Sequence, residues 1–365
     1  MTLNPILKPD ELASYQLREL YRSYGYSHYR MSKFEEYDLY VRNKSFLVSD
    51  RVLTFTDTDG RLMALKPDVT LSIVKNSRDD DDTLQKVYYH EHVYRTSSAA
   101  MGYREILQTG LECIGQLDLY AVGEVVSLAA RSLQLICEDY LLDLSHMGLV
   151  SGLLEPLEED LRRALLEEIG RKNVPAIQAL CAQSGVPGEL TERICRLALL
   201  YGPAESVLPV LQDLAQGEQM TAALEELSRL CRILQSTGLA KNLRLDFSIV
   251  NDMSYYNGVI FRGYLPGLAE GVLAGGRYDP LMARMGKSCG AIGFAVYLDQ
   301  LDRLRAEQGG NDVDVLLLFA PEDDPSAVAQ EAARLVASGR TVRTERSIPQ
   351  GLRYGELIRF EGGKI

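Results

Sequence analysis

The sequence predicts an α+β fold in which an antiparallel sheet is flanked by helices, interrupted by a helical insert and followed by a short C-terminal α/β segment. Runs of alternating apolar and polar residues flank several turn signals, which is typical of hairpins in an antiparallel sheet. Apolar residues then recur with a helical period from about residue 150 to 238. From residue 311 onward the pattern changes to strand, helix and strand.

The first predicted element is a helix that is followed by a strand. In residues 9–31 the apolar side chains repeat at helical spacing, Asp10 is a candidate N-cap, and Gly25 ends the helix. Alternation on both sides of Asp59 and Gly60 then predicts a hairpin, because Asp-Gly is favoured in two-residue turns.

Three further elements follow along the chain. Residues 84–95 and 103–115 are alternating runs that predict a second hairpin, and residues 122–141 predict a long amphipathic helix. Residues 242–265 predict a third hairpin, with its turn at Asn257–Gly258.

These elements divide into a larger domain over residues 1–310, with the helical insert at about 150–238, and a short α/β segment over residues 311–365. Gly and Pro in the stretches SGVPGE and LYGPAES interrupt the helical pattern of the insert. The stretch EQGGND, between the two parts of the chain, has the composition of a linker.

Composition restricts the classes of function. The chain of 365 residues is 46% apolar and 25% charged, lacks a run of eighteen apolar residues, and begins without a secretory signal. We therefore expect a cytoplasmic protein without a membrane span. The six cysteines form no C-x-x-C pair, so buried thiols are expected rather than a metal site or disulfides. A net charge of −12 argues against a broad nucleic-acid surface.

Six polar residues fall on or near the predicted strands at spacings that bring them together. They are Asp68, Thr70, Gln108, Glu112, Tyr255 and Tyr256. The first two are two apart and the next two are four apart, which places each pair on one face of a strand. Each alone is also explained as an ordinary structural residue. Together, two carboxylates, a hydroxyl, an amide and two phenols could hold a ligand with an ammonium group and a polar ring, such as an amino acid.

From about residue 10 to 305, apart from the insert, the chain resembles the class II histidyl-tRNA synthetases. LKPDVT at 65–70 is similar to that family's Leu-Arg-Pro-Glu-Gly-Thr. Residues 93–115 resemble the second class-defining motif, two strands about a loop that folds over ATP. MSYYNGVIF at 253–261 resembles the histidine-binding segment, and residues 274–301, which include AGGRYDP, resemble the third motif.

The resemblance implies a role for each candidate residue. It places Asp68, Thr70, Gln108 and Glu112 around the amino group of histidine, and Tyr255 and Tyr256 around its imidazole. Arg95 and Arg104 match arginines of the second motif, so both are possible phosphate or anion contacts, and Arg95 is where the family holds the α-phosphate of ATP. The alternative for Arg95 is an ordinary surface arginine at the end of a strand.

The chain departs from the synthetase pattern where ATP is handled. Ser97 stands in place of the glutamate that contacts adenine, Asn251 in place of an arginine that assists activation, and Gln300 in place of the arginine on the γ-phosphate. Ser32 stands at the proline position of the first motif, where the family makes its dimer contact. Losing one positioned donor typically costs about 3 to 4 kcal/mol of transition-state stabilisation. We therefore expect histidine binding without adenylate formation.

This combination resembles the regulatory subunits of ATP phosphoribosyltransferase. The resemblance implies a non-catalytic protein, without metal or cofactor, that activates a short-form catalytic subunit and mediates feedback inhibition by histidine. It also implies a homodimer within a hetero-oligomer. A tRNA reader is not expected, because the segment after the linker is shorter than the roughly 100 residues of a typical domain. The alternatives are a minimal histidyl-tRNA synthetase or aminoacylating paralogue, and a free-standing histidine-binding module.

Overall fold

The computed structural model describes residues 7–47, 52–79, 83–97, 102–250, 255–301 and 311–361. The chain divides into two compact units, Met1–Arg303 and Leu304–Ile365.

The larger unit contains twelve strands and eleven α-helices within the described residues. The strands are β1 (Ser27–His28), β2 (Phe34–Glu36), β3 (Thr54–Thr56), β4 (Leu62–Leu65), β5 (Gln85–Ser97), β6 (Gly102–Gly115), β7 (Leu141–His146), β8 (Tyr201–Gly202), β9 (Leu243–Asp246), β10 (Val259–Tyr264), β11 (Leu273–Arg277) and β12 (Gly290–Tyr297). The helices are α1 (Pro9–Ser23), α2 (Tyr37–Arg42), α3 (Thr70–Asn76), α4 (Leu119–Ile136), α5 (Met147–Leu154), α6 (Glu159–Gly170), α7 (Val174–Gln183), α8 (Gly188–Leu199), α9 (Ala204–Leu214), α10 (Gly217–Ser236) and α11 (Asp279–Arg284). Short 3-10 turns lie at Lys44–Phe46, Ala240–Asn242 and Leu298–Gln300.

Nine of these strands form one sheet in the order β1-β5-β6-β12-β11-β10-β7-β9-β8. Its neighbours run antiparallel except for two parallel pairs, β1 with β5 and β7 with β9. Strands β2, β4 and β3 form a separate small antiparallel sheet. The predicted α+β class is confirmed, with a mixed rather than a purely antiparallel main sheet.

The N-terminal helix forms where the sequence predicts it, but its cap differs. Lys8 is the N-cap and Pro9 follows at the first helical position, while the side chain of Glu11 accepts a hydrogen bond from the Lys8 amide at 2.9 Å. The prediction of Asp10 as N-cap is therefore wrong. This carboxylate lies in the first turn, where it favours the helix dipole. Gly25 follows the helix with φ 83°, a conformation that glycine adopts without strain.

The first two predicted hairpins are confirmed. Strands β3 and β4 pair antiparallel around a turn in which Gly60 has φ 79°. Strands β5 and β6 pair antiparallel over thirteen residue pairs, from Gln85 with Ile114 to Ser97 with Gly102. This long hairpin carries four of the eight candidate residues, namely Arg95, Arg104, Gln108 and Glu112.

The third predicted hairpin is wrong. Strands β9 and β10 do not pair, because β7 lies between them, parallel to β9 and antiparallel to β10. Strand β10 instead forms its hairpin with β11. The inserted strand has the sequence LLDLSH, in which the buried Asp143 interrupts the apolar pattern, and its partners are distant along the chain. Local turn signals carry no information about such a pairing.

The helical insert contains helices α6 to α10. It also contributes β8, which pairs antiparallel with β9 through Tyr201 and Gly202. The LYGPAES stretch was predicted to be a break between helices, so the strand corrects that prediction. It follows that the insert is joined to the edge of the main sheet by backbone hydrogen bonds as well as by side-chain packing.

Two expectations from composition concern membrane spans and the state of the cysteines. By length and composition α4 could cross a membrane, but 67% of it is buried within the protein, as in a core helix of a soluble protein. All six cysteines are free thiols; five are buried and Cys137 is half-buried.

Within residues 311–361, the smaller unit is a three-stranded parallel sheet with one helix. Its elements are β13 (Val313–Leu318), α12 (Pro325–Ala337), β14 (Val342–Glu345) and β15 (Tyr354–Arg359), and the strand order is β14-β13-β15. Val315 and Leu317 pack with Val328 and Leu335 of the helix. The predicted strand, helix and strand are confirmed, and β15 is an addition that the sequence did not predict.

Candidate functional site

A cavity of about 250 Å³ lies at the centre of the main sheet. Its lining includes seven of the eight candidate residues, namely Asp68, Thr70, Arg95, Gln108, Glu112, Tyr255 and Tyr256. The volume is below the roughly 300 Å³ at which pockets for drug-sized ligands begin. The cavity therefore suits a ligand about as large as a single amino acid.

Two separate elements bring the polar groups together. Gln108 and Glu112 lie on the same face of β6, as the strand period predicts. Asp68 and Thr70 do not share a strand, so that part of the reasoning is wrong. Asp68 precedes α3 and accepts a hydrogen bond from the Leu71 amide at 2.9 Å, while Thr70 is the first residue of this helix. The start of a helix, not a strand face, points both side chains into the cavity.

Glu112 is the central buried acid of the site. Its side chain accepts hydrogen bonds from the Thr70 hydroxyl at 2.8 Å and from the Tyr278 hydroxyl at 2.6 Å. The residue is only 2% exposed. Burial raises its pKa to about 8, the two hydrogen bonds oppose this shift, and the nearby Asp68 carboxylate adds to it. A cation placed in the cavity would stabilise the ionised form.

Glycines of the third-motif segment make room for these side chains. Gly293 of β12 lies opposite Glu112 in the sheet, and a Cβ there would be 1.6 Å from the carboxylate. A Cβ on Gly276 of β11 would be 2.7 Å from the Tyr256 ring. Gly276 of AGGRYDP and Gly293, in the glycine spacing that follows it, thus leave room for ligand-site residues.

An aromatic wall closes one side of the cavity. The ring centroids of Tyr255 and Tyr256 are 4.3 Å apart, and Tyr255 also lies 5.5 Å from Phe46 and 6.1 Å from Tyr278. Sequence reasoning missed Tyr278 and Phe46, which also line the cavity. Tyr278 belongs to the AGGRYDP stretch, and its hydroxyl fixes the orientation of Glu112. Tyr278 was visible in the AGGRYDP stretch, but the contact of its hydroxyl with Glu112 depends on the register of the sheet.

Gln108 supplies an unsatisfied donor. The residue is 2% exposed, and its side-chain nitrogen has no hydrogen-bond partner within the described part of the chain. A buried polar group without a partner is destabilising, and native structures contain few of them. Because the residue lines the cavity, a ligand with an acceptor group would satisfy this nitrogen.

Arg95 lines the same cavity next to Asp68. Its Nη2 lies 3.9 Å from Asp68 Oδ2, and its Nε donates to the Pro67 carbonyl at 2.8 Å. The Arg95 side chain is 12% exposed, so the alternative of an ordinary surface arginine is wrong. Burial raises the pKa of Asp68, and the neighbouring guanidinium opposes the shift.

Arg104 lies opposite Arg95 in the hairpin but lines a different cavity, of about 490 Å³, which it shares with Gln300. Its Nη2 is 3.6 Å from Asp299 Oδ2. Gln300 lies in the 3-10 turn after β12. Asn251 lies outside the described residues, as does the side chain of Ser97. The structure thus separates Arg104 from the proposed amino-acid site.

Comparisons with known proteins agree with this architecture. The sequence model of the histidyl-tRNA synthetase family matches residues 6–301. A protein of Symbiobacterium thermophilum named ATP phosphoribosyltransferase regulatory subunit is 32% identical, over 80% of this chain and 75% of its own length. One of the same name from Moorella thermoacetica is 30% identical, over 93% and 90%. The crystal structure of an ATP phosphoribosyltransferase regulatory subunit/histidyl-tRNA synthetase from Bacillus halodurans is 25% identical, with a TM-score of 0.75 over 98% and 96% of the two chains.

Proposed function

The chain belongs to the histidyl-tRNA synthetase-like family of ATP phosphoribosyltransferase regulatory subunits, and from this premise we propose that it binds L-histidine, activates a short-form catalytic subunit and mediates feedback inhibition by histidine. The observation that carries the proposal is the buried carboxylate of Glu112, held by two hydroxyl groups in a cavity of amino-acid size. A buried acid of this kind favours a ligand that brings a positive charge.

The residues around the cavity suit the ammonium group and the ring of a histidine molecule. The ammonium group would pair with the carboxylates of Glu112 and Asp68, in charge-assisted hydrogen bonds. The imidazole would pack against the rings of Tyr255 and Tyr256, whose flat apolar area and polar tips match a polar ring. The Gln108 nitrogen, which has no hydrogen-bond partner among the described residues, would donate to an acceptor on the ligand.

Regulation follows if histidine binds two conformations of the complex with different affinity. A ligand shifts a conformational equilibrium only by its differential affinity for the two states, and the coupling between two binding sites is reciprocal. The protein would act as a homodimer within a hetero-oligomer, since closed symmetry lets one regulatory site report to several active sites. In this proposal it neither charges nor binds tRNA.

The decisive experiment mixes the protein with the short catalytic subunit from the same organism and measures phosphoribosyl transfer with and without histidine. The catalytic subunit alone should be weakly active, the mixture more active, and added histidine should reduce the rate. A mixture no faster than the catalytic subunit alone would refute activation, and a rate indifferent to histidine would refute its role as inhibitor. Light scattering of the protein alone and of the mixture tests the assembly, since a monomer in both samples contradicts it.

Two alternatives have their own tests. A minimal histidyl-tRNA synthetase would exchange pyrophosphate into ATP in the presence of histidine. We expect no such exchange, because Gln300 is neutral where the synthetases have an arginine on the γ-phosphate. A free-standing histidine-binding module would bind histidine but would not co-purify with a catalytic subunit.

A further inference from the structure

Lys172 occupies an unusual backbone position in the turn between α6 and α7. Its φ of 53° lies in the left-handed region, and among the described residues other than glycine it is the only one with positive φ. Glycine is the usual residue at such a position after a helix, because a side chain there is strained. Strained residues other than glycine persist where the surrounding structure holds them, and they cluster at functional positions.

The side chain of Lys172 connects the helical insert to buried acids of the main sheet. Its Nζ lies 3.1 Å from Asp246 Oδ2 and 4.9 Å from the ring centroid of Tyr201. Asp246 ends β9 and is 6% exposed. On the adjacent strand β7, Asp143 is 5% exposed, and its Oδ1 has no hydrogen-bond partner among the described residues. The lysine thus supplies positive charge where two carboxyl groups are buried near each other.

The insert also contacts the segment that follows β9. Asp246 Oδ1 accepts hydrogen bonds from the amide of Ser248 at 2.8 Å and from its hydroxyl at 2.7 Å, which folds residues 246–250 into a tight turn. At the end of α6, a Cβ on Gly170 would lie 3.3 Å from Val250 Cγ2. The ion pair of Lys172 with Asp246 and the approach of Gly170 to Val250 therefore place the end of α6 and its turn beside both ends of the 246–250 segment.

The same segment contacts the aromatic wall of the cavity. Ile249 is buried in an apolar cluster with Met147 and Ile260, and Tyr256 packs against this cluster. Residues 246–250 thus lie between the insert on one side and a ring of the proposed histidine site on the other.

We propose that Lys172 is a positioning residue, whose ion pair with Asp246 holds residues 246–250 where they support Tyr256 and so couples the helical insert to the ligand site. The ligand part of this inference rests on the proposed function. A movement of the insert that separates Lys172 from Asp246 would weaken histidine binding, and by reciprocity bound histidine would favour the docked insert.

The test uses the full chain and compares Lys172→Gly with Lys172→Arg. Glycine relieves the backbone strain but also removes the ammonium group paired with the buried Asp246, so the two effects on the melting temperature oppose each other and the variant should remain folded. Histidine affinity by calorimetry should nevertheless fall by about 3-fold to 30-fold, the usual range for residues that couple sites. Arginine keeps the cation and should retain most of the affinity. Arg171→Ala, which removes the exposed guanidinium of the same turn and its ion pairs with Glu167 and Glu168, is the matched control and should change neither quantity.

A second variant and a second measurement keep the test decisive. Lys172→Met keeps the aliphatic stem and the backbone strain but loses the charge, and it should weaken binding as glycine does. Amide hydrogen exchange at residues 255–258, measured without ligand, should be faster in both variants than in the unaltered protein. Unchanged affinity and unchanged exchange in folded Lys172→Gly and Lys172→Met proteins would overturn the inference. If the unaltered protein bound no histidine, the proposed function would fail, while the exchange comparison would still decide the coupling.

Discussion

Replacing Glu112 by glutamine tests the ligand site most directly. The change removes a charge and keeps the shape of the side chain. The Thr70 and Tyr278 hydroxyls that contact Glu112 can each donate or accept, so the amide can still be paired with both. Because burial raises the Glu112 pKa to about 8, the group is largely neutral at about neutral pH in the empty site. The variant should therefore fold with little change in stability.

Histidine binding should nevertheless weaken strongly. A hydrogen bond to a charged group contributes roughly 1.5 to 3 kcal/mol, and each 1.4 kcal/mol is a factor of about ten in affinity. Loss of the Glu112 charge should thus reduce affinity by about one to two decades, since Asp68 remains but already lies near the Arg95 guanidinium. The complex should still be activated and should resist inhibition by histidine.

The assay is calorimetric titration with L-histidine, together with thermal unfolding of each protein. Glu105→Gln is a matched control, because it makes the same change at an exposed position of the same strand and should not alter affinity. Wild-type affinity in a folded Glu112→Gln protein would refute the reasoning and would leave Glu112 as a structural acid of the sheet.

Three further predictions follow from the same geometry. Histidine affinity should rise by up to about tenfold per pH unit from about pH 6 to about pH 8, because an ammonium ligand requires ionised Glu112 and binding then releases the proton of Glu112. Calorimetric titration in buffers of different ionisation enthalpy measures the number of protons released. The absence of proton release would contradict the prediction. Tyr256→Ala should lower histidine affinity by about one decade or more through lost ring packing, while activation of the catalytic subunit persists. Equal inhibition of the variant and the wild type by histidine would count against this role of Tyr256. Gly293→Ala should destabilise the protein by roughly 1 to 3 kcal/mol in denaturant unfolding, because the new Cβ would overlap Glu112. Gly188→Ala is the control and should be nearly neutral, because the space around Gly188 is open. Equal unfolding midpoints for the two variants would show that the sheet accommodates the Cβ at residue 293.

Local chemistry made most of the fold predictable. The turn at Gly60 and the alternation of β5 and β6 are properties of neighbouring residues, and both hairpins form as predicted. The position of β7 between β9 and β10 is not a local property. It depends on partners about a hundred residues apart, and the charged Asp143 in this short strand obscures its apolar character.

The residues of the candidate site divide in the same way, into those that local spacing predicts and those that depend on distant partners. Gln108 and Glu112 follow from the period of a strand, and the structure places both on the cavity. Asp68 also lies there, although the reason is the start of α3 and not a strand face. The contacts of Tyr278 and Gly293 depend on the register of β12 against β6 and on the approach of β11, which no residue spacing in a single sequence specifies. The binding roles of all these residues stay predictions.

The carboxylate side and the aromatic side of the cavity differ in how firmly neighbouring elements hold their side chains. This difference decides how bound histidine could influence the rest of the complex. Glu112 is fixed by hydrogen bonds from α3 and from the end of β11, and by the close approach of β12 at Gly293. Such a carboxylate site is preformed, so it provides affinity in every conformation and cannot by itself shift an equilibrium. Tyr256 packs against the cluster that contains Ile249, and in our proposal the segment of Ile249 depends on the ion pair of Asp246 with Lys172 of the insert. Differential affinity should therefore arise at the aromatic wall, and the ring of histidine should matter more for inhibition than its ammonium group does.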